Sequence, residues 1–207
     1  MNSHLMHSLT AFFTYAMLAI GGENAIFSRS LGLSGGLRML KSPKKDTIYF
    51  CTALGFFQIL NSLLMYFIMP LLSRIIPSEY IRFVTPVVIV AICALSYIVV
   101  AFGMTMVMKR RTFINLIYSV TGAAINSAIV GTIIYSLNRG LTFSQTIGYR
   151  IGSSVGYFMA MLLIEEGQRK IRDDLVPKQF KGLPVTLIYI SIIALAIYGF
   201  TGHNLAL

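Results

Sequence analysis

Apolar residues fall into six long runs along the chain, separated by short polar and charged segments. A run of about 20 mostly apolar residues can cross the hydrocarbon core of a bilayer as an α-helix. The pattern therefore predicts an all-α integral membrane protein with six transmembrane helices. The expected spans are 5–30, 48–72, 83–108, 113–137, 141–164 and 183–200.

Two of these spans are interrupted by small and polar residues. The first contains the stretch GGENAIFSRSLGLSGG at 21–36, and the fourth carries Thr121, Gly122, Asn126 and Ser127 at its middle. Non-helical backbone at membrane depth persists only where protein or a water-filled cavity surrounds it. We therefore expect the first and fourth helices to be broken and to face the interior of the bundle.

The positions of the two breaks predict an internal repeat. Each half of the chain has three spans, so the second half enters the membrane from the side opposite to the first. Discontinuous helices in such inverted repeats build a site near the midplane. We expect one membrane domain, 1–207, with repeat one at about 1–108 and repeat two at about 109–207.

Composition and charge agree with a membrane protein rather than a soluble one. Hydrophobic residues make up 56% of the chain and charged residues only 12%. The net charge of +10 is concentrated in alternate loops, at 38–45, 109–111 and 169–181. By the positive-inside rule these loops are cytoplasmic and both termini are outside. The basic segments lack interleaved aromatic residues, which argues against nucleic-acid binding.

Polar residues at bilayer depth are candidates for a working site. We single out Glu23, Asn24, Asn126 and Arg150 as a midplane polar site. Glu23 and Arg150 could pair with each other. Alternatively, Glu23 is protonated or reaches water, and Arg150 extends outward to the external interface.

Helix packing is predicted at two further places. Gln58 and Asn61 lie nearly one turn apart on the second span and should hydrogen-bond to neighbouring helices. Gly148, Gly152 and Gly156 form a stripe of small residues on the fifth span, which favours close approach of another helix.

Three segments of the chain resemble a known family. They are NAIFSRSLGLSGG, INSAIVG and, the most specific, VPKQFKG ahead of the last span. Together they resemble the RnfA protein of the Rnf complex and its relative NqrE of the sodium-pumping Nqr complex. The resemblance implies a multi-pass subunit of a bacterial or archaeal cytoplasmic (inner) membrane, paired with a paralogous six-helix subunit. It also implies a complex that couples electron transport to Na+ or H+ translocation.

The chain departs from this family at the positions of its cluster ligands. The resemblance implies a cysteine in each break and a [2Fe-2S] cluster shared between two subunits. Here the matching residues are Ser34 and Ser127, whose hydroxyls are far weaker iron ligands than thiolates. Cys51 and Cys93 lie outside the breaks. We therefore expect the shared cluster to be absent or weakened, with no other metal or cofactor bound by this chain.

The resemblance makes an electron-transport subunit that is non-catalytic by itself the leading hypothesis. The sequence has no Walker or dinucleotide-binding glycine pattern, and its three histidines lie near the termini. The alternative is a diverged transport or scaffold protein that carries no electrons. In that alternative Glu23, Asn24 and Asn126 would line a cation or solute site.

Overall fold

The computed structural model describes residues 2–39, 44–171 and 175–201, and within these ranges all regular structure is helical. The all-α prediction is confirmed for this part of the chain. The basic loops predicted at 38–45 and 169–181 lie partly outside these ranges. The helices are α1 (Asn2–Ile20), α2 (Leu33–Met39), α3 (Lys44–Ile75), α4 (Ser78–Val107), α5 (Arg110–Ala124), α6 (Ser127–Asn138), α7 (Phe143–Lys170) and α8 (Leu183–Thr201), with a 3-10 turn at Lys178–Phe180.

Five segments of the described chain are long and apolar enough to cross a membrane, and they match the second to sixth predicted spans. They are Lys45–Ile75, Glu79–Val107, Leu116–Asn138, Phe143–Lys170 and Leu183–Thr201. The first predicted span, 5–30, is shorter than expected. Its apolar helix ends at Ile20, because the chain leaves the helix at the Gly21-Gly22 pair.

Both predicted interruptions are present. The backbone between α1 and α2 is irregular from Gly21 to Gly32, and α5 is separated from α6 by Ile125 and Asn126. Asn126 is fully extended, with φ −121° and ψ 132°. Extended residues cannot continue the i to i−4 hydrogen-bond ladder, so the fourth predicted span consists of two half-helices.

The small-residue stripe on α7 packs directly on α1, as predicted. A Cβ atom built on Gly152 would lie 2.2 Å from the carbonyl oxygen of Ala16, and one on Gly148 would lie 2.3 Å from that of Phe12. Both distances are far inside van der Waals contact. Only glycine therefore lets the two helix backbones approach this closely.

Polar residues on α3 give a mixed result. The Gln58 amide donates to Thr132 Oγ1 at 3.2 Å and to Ser153 Oγ at 2.8 Å, and its oxygen accepts from Ser154 Oγ at 3.2 Å. The prediction that Gln58 joins neighbouring helices is confirmed. Asn61 is equally buried, yet neither of its side-chain polar atoms has a hydrogen-bond partner in the described structure.

The outer helices leave wide apolar surfaces uncovered. Only 22% of the apolar window of α4 and 11% of that of α8 is buried inside the chain, against 56% for α7. Helix α7 is therefore the centre of the fold. The open faces of α4 and α8 are available to lipid or to neighbouring proteins of a complex.

Candidate functional site

Asn24 organises the first break. Its side-chain oxygen accepts hydrogen bonds from the backbone N–H groups of Ile26 at 3.0 Å and Phe27 at 3.3 Å. Its amide donates to the carbonyl oxygens of Ile20 at 3.0 Å and Gly156 at 2.9 Å. One buried side chain thus satisfies backbone groups that the broken helix leaves free and joins the break to α7.

Asn126 plays the matching role in the second break. It is the N-cap of α6, and its side-chain oxygen accepts from the backbone N–H of Ala128 at 2.9 Å. The bond between Asn24 and Ile26 has the same two-residue spacing. Each break is therefore built around an asparagine that replaces a missing backbone partner with its own amide oxygen.

The two breaks contact each other directly. The Gly32 N–H donates to Ser127 Oγ at 2.9 Å, and the Tyr157 hydroxyl on α7 donates to the Gly32 carbonyl at 2.8 Å. Gly32 has φ +74°, and a Cβ atom there would lie 2.5 Å from Asn126 Oδ1. Both the backbone conformation and the space therefore require glycine at this junction.

Ser34 and Ser127 lie on the same cavity, as the sequence predicts for residues of two facing breaks. Both are exposed, and the cavity of about 490 Å³ that they line opens at the surface of the chain. Arg38 contributes the charged side chain of its lining. The remaining lining residues are Gly35, Thr121, Gly122, Ile125 and Asn126.

The donor atoms at this cavity do not fit a [2Fe-2S] cluster. They are serine hydroxyls, and Ser127 Oγ already accepts the Gly32 N–H. Cys51 is buried in the core, and Cys93 is buried beside a neighbouring pocket of about 170 Å³ that Ser127 also lines. In the described ranges no three His, Cys, Asp or Glu residues are grouped as metal ligands would be.

Glu23 lies in an arginine cluster away from this cavity. Its carboxylate forms ion pairs with Arg29 at 3.3 Å and with Arg139 at 3.4 Å. The ring of Tyr135 stacks with both guanidinium groups, 3.7 Å from that of Arg29 and 4.8 Å from that of Arg139. Glu23 is therefore compensated locally, and the hypothesis that it pairs with Arg150 is wrong.

Arg150 has a different environment from either prediction. It is fully buried, so it does not extend to the external interface. Its Nε donates to Ser62 Oγ at 2.8 Å, and its Nη2 donates to Ser136 Oγ. The four midplane candidates are thus divided among three places. Asn24 and Asn126 support the breaks, Glu23 belongs to the arginine cluster, and Arg150 lies in a separate cavity.

Two residues at the junction were not predicted from the sequence. Tyr157 ties Gly32 to α7, and Arg38 lines the cavity of Ser34 and Ser127. Tyr157 directly follows the glycine stripe, and Arg38 directly follows the first break, so their proximity to these features was the available signal. Their contacts depend on how α2 and α7 pack, which local sequence does not encode.

The fold and the junction define a multi-pass membrane protein with discontinuous helices. Comparison with known sequences assigns the chain more closely: it belongs to the Rnf-Nqr family, described as "Rnf-Nqr subunit, membrane protein", which matches residues 12–203.

Individual relatives come from both branches of this family. The chain is 27% identical over 194 residues to the RnfA-type subunit of the ion-translocating oxidoreductase complex of Vibrio cholerae El Tor, covering 91% of this chain and 96% of that protein. It is 32% identical over 77 residues to the corresponding protein of Syntrophotalea carbinolica, covering 37% and 40%. It is 27% identical over 118 residues to the NqrE-type subunit of the Na(+)-translocating NADH-quinone reductase of Alcanivorax borkumensis, covering 54% and 57%.

Proposed function

We propose that this chain is a membrane-embedded subunit of an Rnf/Nqr-type complex that couples electron transport to Na+ or H+ translocation. Family membership and the names of the relatives support the general role. The observation that carries the proposal is the contact between the breaks, where the Gly32 N–H meets Ser127 Oγ at 2.9 Å. In the described residues the junction offers no catalytic group, so the chain acts only within its complex.

We infer that a paralogous six-helix membrane protein packs over the cavity of Ser34 and Ser127. Three exposed groups support this inference, namely the two serines and Arg38. Polar groups on a membrane-facing surface are unfavourable next to lipid tails. A partner with its own broken helices would cover these groups and complete a pair of inverted repeats.

The serines lead us to propose that the complex has no [2Fe-2S] cluster at this interface. A serine hydroxyl is hardly deprotonated at neutral pH, and oxygen is a harder donor than the thiolates that iron-sulfur clusters use. Electrons would then pass by another route through the complex. The same substitution is the observation that favours the alternative function, a transport or scaffold protein of this fold that carries no electrons.

The test begins with the native complex, purified from its own membranes. Co-purification of flavin-containing and iron-containing proteins supports the electron-transport role, and recovery of this chain without redox partners supports the alternative. The EPR spectrum of the dithionite-reduced complex should lack a [2Fe-2S] signal that depends on this chain. Such a signal in the unmodified protein would contradict the inference about the cluster.

A gain-of-ligand variant sharpens this test. Ser34→Cys combined with Ser127→Cys should raise bound iron if the partner supplies two thiolates of its own. Ser73→Cys with Ser191→Cys is the matched control, because these exposed serines lie away from the junction. Equal iron in the two double variants would show that thiolates at 34 and 127 do not face a ligand-bearing partner.

We also propose that the basic loops are cytoplasmic and both termini are outside. The motive is the clustering of Lys and Arg in alternate loops. A cysteine replacing Lys178 should be protected from membrane-impermeant maleimide in intact cells. A cysteine replacing Glu79, exposed at the start of α4, should react. The reverse pattern would invert the topology.

A further inference from the structure

Arg150 is a fully buried cation held by neutral groups. Its Nε donates to Ser62 Oγ at 2.8 Å on α3, and its Nη2 donates to Ser136 Oγ on α6. These two bonds fix the plane of the guanidinium group. The third nitrogen, Nη1, is buried and has no hydrogen-bond partner in the described structure.

The positive charge of Arg150 also lacks a counter-charge. None of the carboxylates in the described ranges forms an ion pair with it, and the nearby Glu23 is already engaged by Arg29 and Arg139. Serine hydroxyls orient a guanidinium group but do not neutralise it. A buried charge is expected to be paired, so the free Nη1 edge indicates a missing anionic partner.

A cavity lies beside Arg150 that can hold such a partner. Its volume is about 460 Å³, within the range of roughly 300–1,000 Å³ that small-molecule sites occupy. Ser62, Ser136 and Thr146 supply hydroxyls near Arg150, while Met65, Met69 and Leu137 are among its apolar residues. A polar group at Arg150 and an apolar chain along the methionines would both be accommodated.

The cavity lies at the end of the bundle opposite the basic loops. Its lining includes Ser73, near the end of α3, and Gly140, in the connection between α6 and α7. Both connections at this end are short. The cavity is also distinct from the junction of the breaks, since none of its lining residues belongs to the cavity of Ser34 and Ser127.

We propose that this cavity binds an oxyanion on Arg150 Nη1, supplied either by the phosphate of a membrane lipid or by a small free anion such as phosphate. The oxyanion would neutralise the guanidinium and accept its unused N–H groups. The site goes beyond the proposed electron-transport role and does not depend on it. An Arg150 site is therefore a ligand site of the membrane domain itself.

The test measures thermal unfolding of the full-length chain, in the assembly with which it purifies, in dodecyl maltoside micelles. One arm adds dioleoylphosphatidylglycerol, with dioleoylglycerol as a control that lacks the phosphate. The other arm adds sodium phosphate, with sodium chloride at equal ionic strength as its control. At a hundredfold excess over Kd, a bound ligand should raise the unfolding midpoint by about 5–10 °C.

Arg150→Met should abolish this shift, because it removes the guanidinium while keeping a long apolar side chain. A shift with phosphatidylglycerol alone identifies a lipid, and an equal shift with inorganic phosphate identifies a free anion. The absence of a shift in both arms overturns the proposal. A shift that survives in Arg150→Met overturns it as well.

A second variant leaves Arg150 intact, in case Arg150→Met fails to fold. Ser73→Phe should reduce the shift by filling the cavity from an exposed lining position. Thr52→Phe is the matched control on the same helix, exposed but remote from the cavity, and should keep the full shift. An unchanged shift in Ser73→Phe would show that the ligand binds elsewhere.

Discussion

The contact between α1 and α7 gives the sharpest prediction about stability, through the substitution Gly152→Ala. The new Cβ atom would lie 2.2 Å from Ala16 O and 2.6 Å from Ala16 Cα, whereas ordinary contacts are 3.4–4 Å. Both obstructing atoms belong to the backbone, so no side chain can rotate away. Helix α1 would have to retreat by about 1 Å, which also strains the bond between Asn24 and Gly156.

The expected magnitude combines two opposing effects. Overpacking of a tight contact costs about 1–3 kcal/mol, and backbone obstruction places this case at the upper end. Alanine in place of glycine in a helix returns about 1 kcal/mol. We therefore expect Gly152→Ala to lower the free energy of unfolding by about 1–2 kcal/mol.

The matched control is Gly103→Ala on α4, where a Cβ atom meets nothing within 4 Å. Only the helix-propensity gain remains there, so this variant should be about 0.5–1 kcal/mol more stable than the wild type. SDS-induced unfolding in mixed micelles, followed by far-UV circular dichroism, measures both. Equal stability of the two variants would refute the claim that backbone contact, rather than glycine content, determines this interface.

Two further predictions concern buried polar side chains. Gln58→Leu breaks three hydrogen bonds and should destabilise the fold by about 1–3 kcal/mol, whereas Asn61→Leu removes unpartnered atoms and should be neutral or stabilising in the same unfolding assay. A double-mutant cycle of Glu23→Gln and Arg150→Gln should be additive within about 0.5 kcal/mol, because separate groups hold the two side chains. A larger coupling would restore the pairing of Glu23 with Arg150.

Much of the helical framework could be predicted from the sequence, because bilayer thickness fixes the length of an apolar run. The span expected at 48–72 is the central part of α3, and the helix extends beyond it at both ends, to Lys44 and Ile75. Charged residues such as Lys45 and Arg74 are compatible with helix but not with hydrocarbon. Hydrophobicity therefore locates the membrane-embedded part of a helix rather than its ends.

The partners of the charged residues could not be predicted in the same way. Arg29 and Arg139 reach Glu23 from the first break and from the connection between α6 and α7. Ser62 and Ser136 reach Arg150 from two further helices. Such contacts depend on helix rotation and packing, and the sequence pattern carries only the local amphipathic period.

The junction of the breaks separates the residues that shape it from those that would carry ligands. Asn24, Asn126 and Gly32 make the turns and the close approach, and none of these roles uses the side chain of Ser34. Ser127 is different, because its hydroxyl accepts the Gly32 N–H at 2.9 Å. A thiol is a weaker acceptor than a hydroxyl, so cysteine at 127 would weaken one contact between the breaks while cysteine at 34 would not. The scaffold can therefore keep its shape while its exposed ligand positions change, and the position with a structural duty is the one on α6.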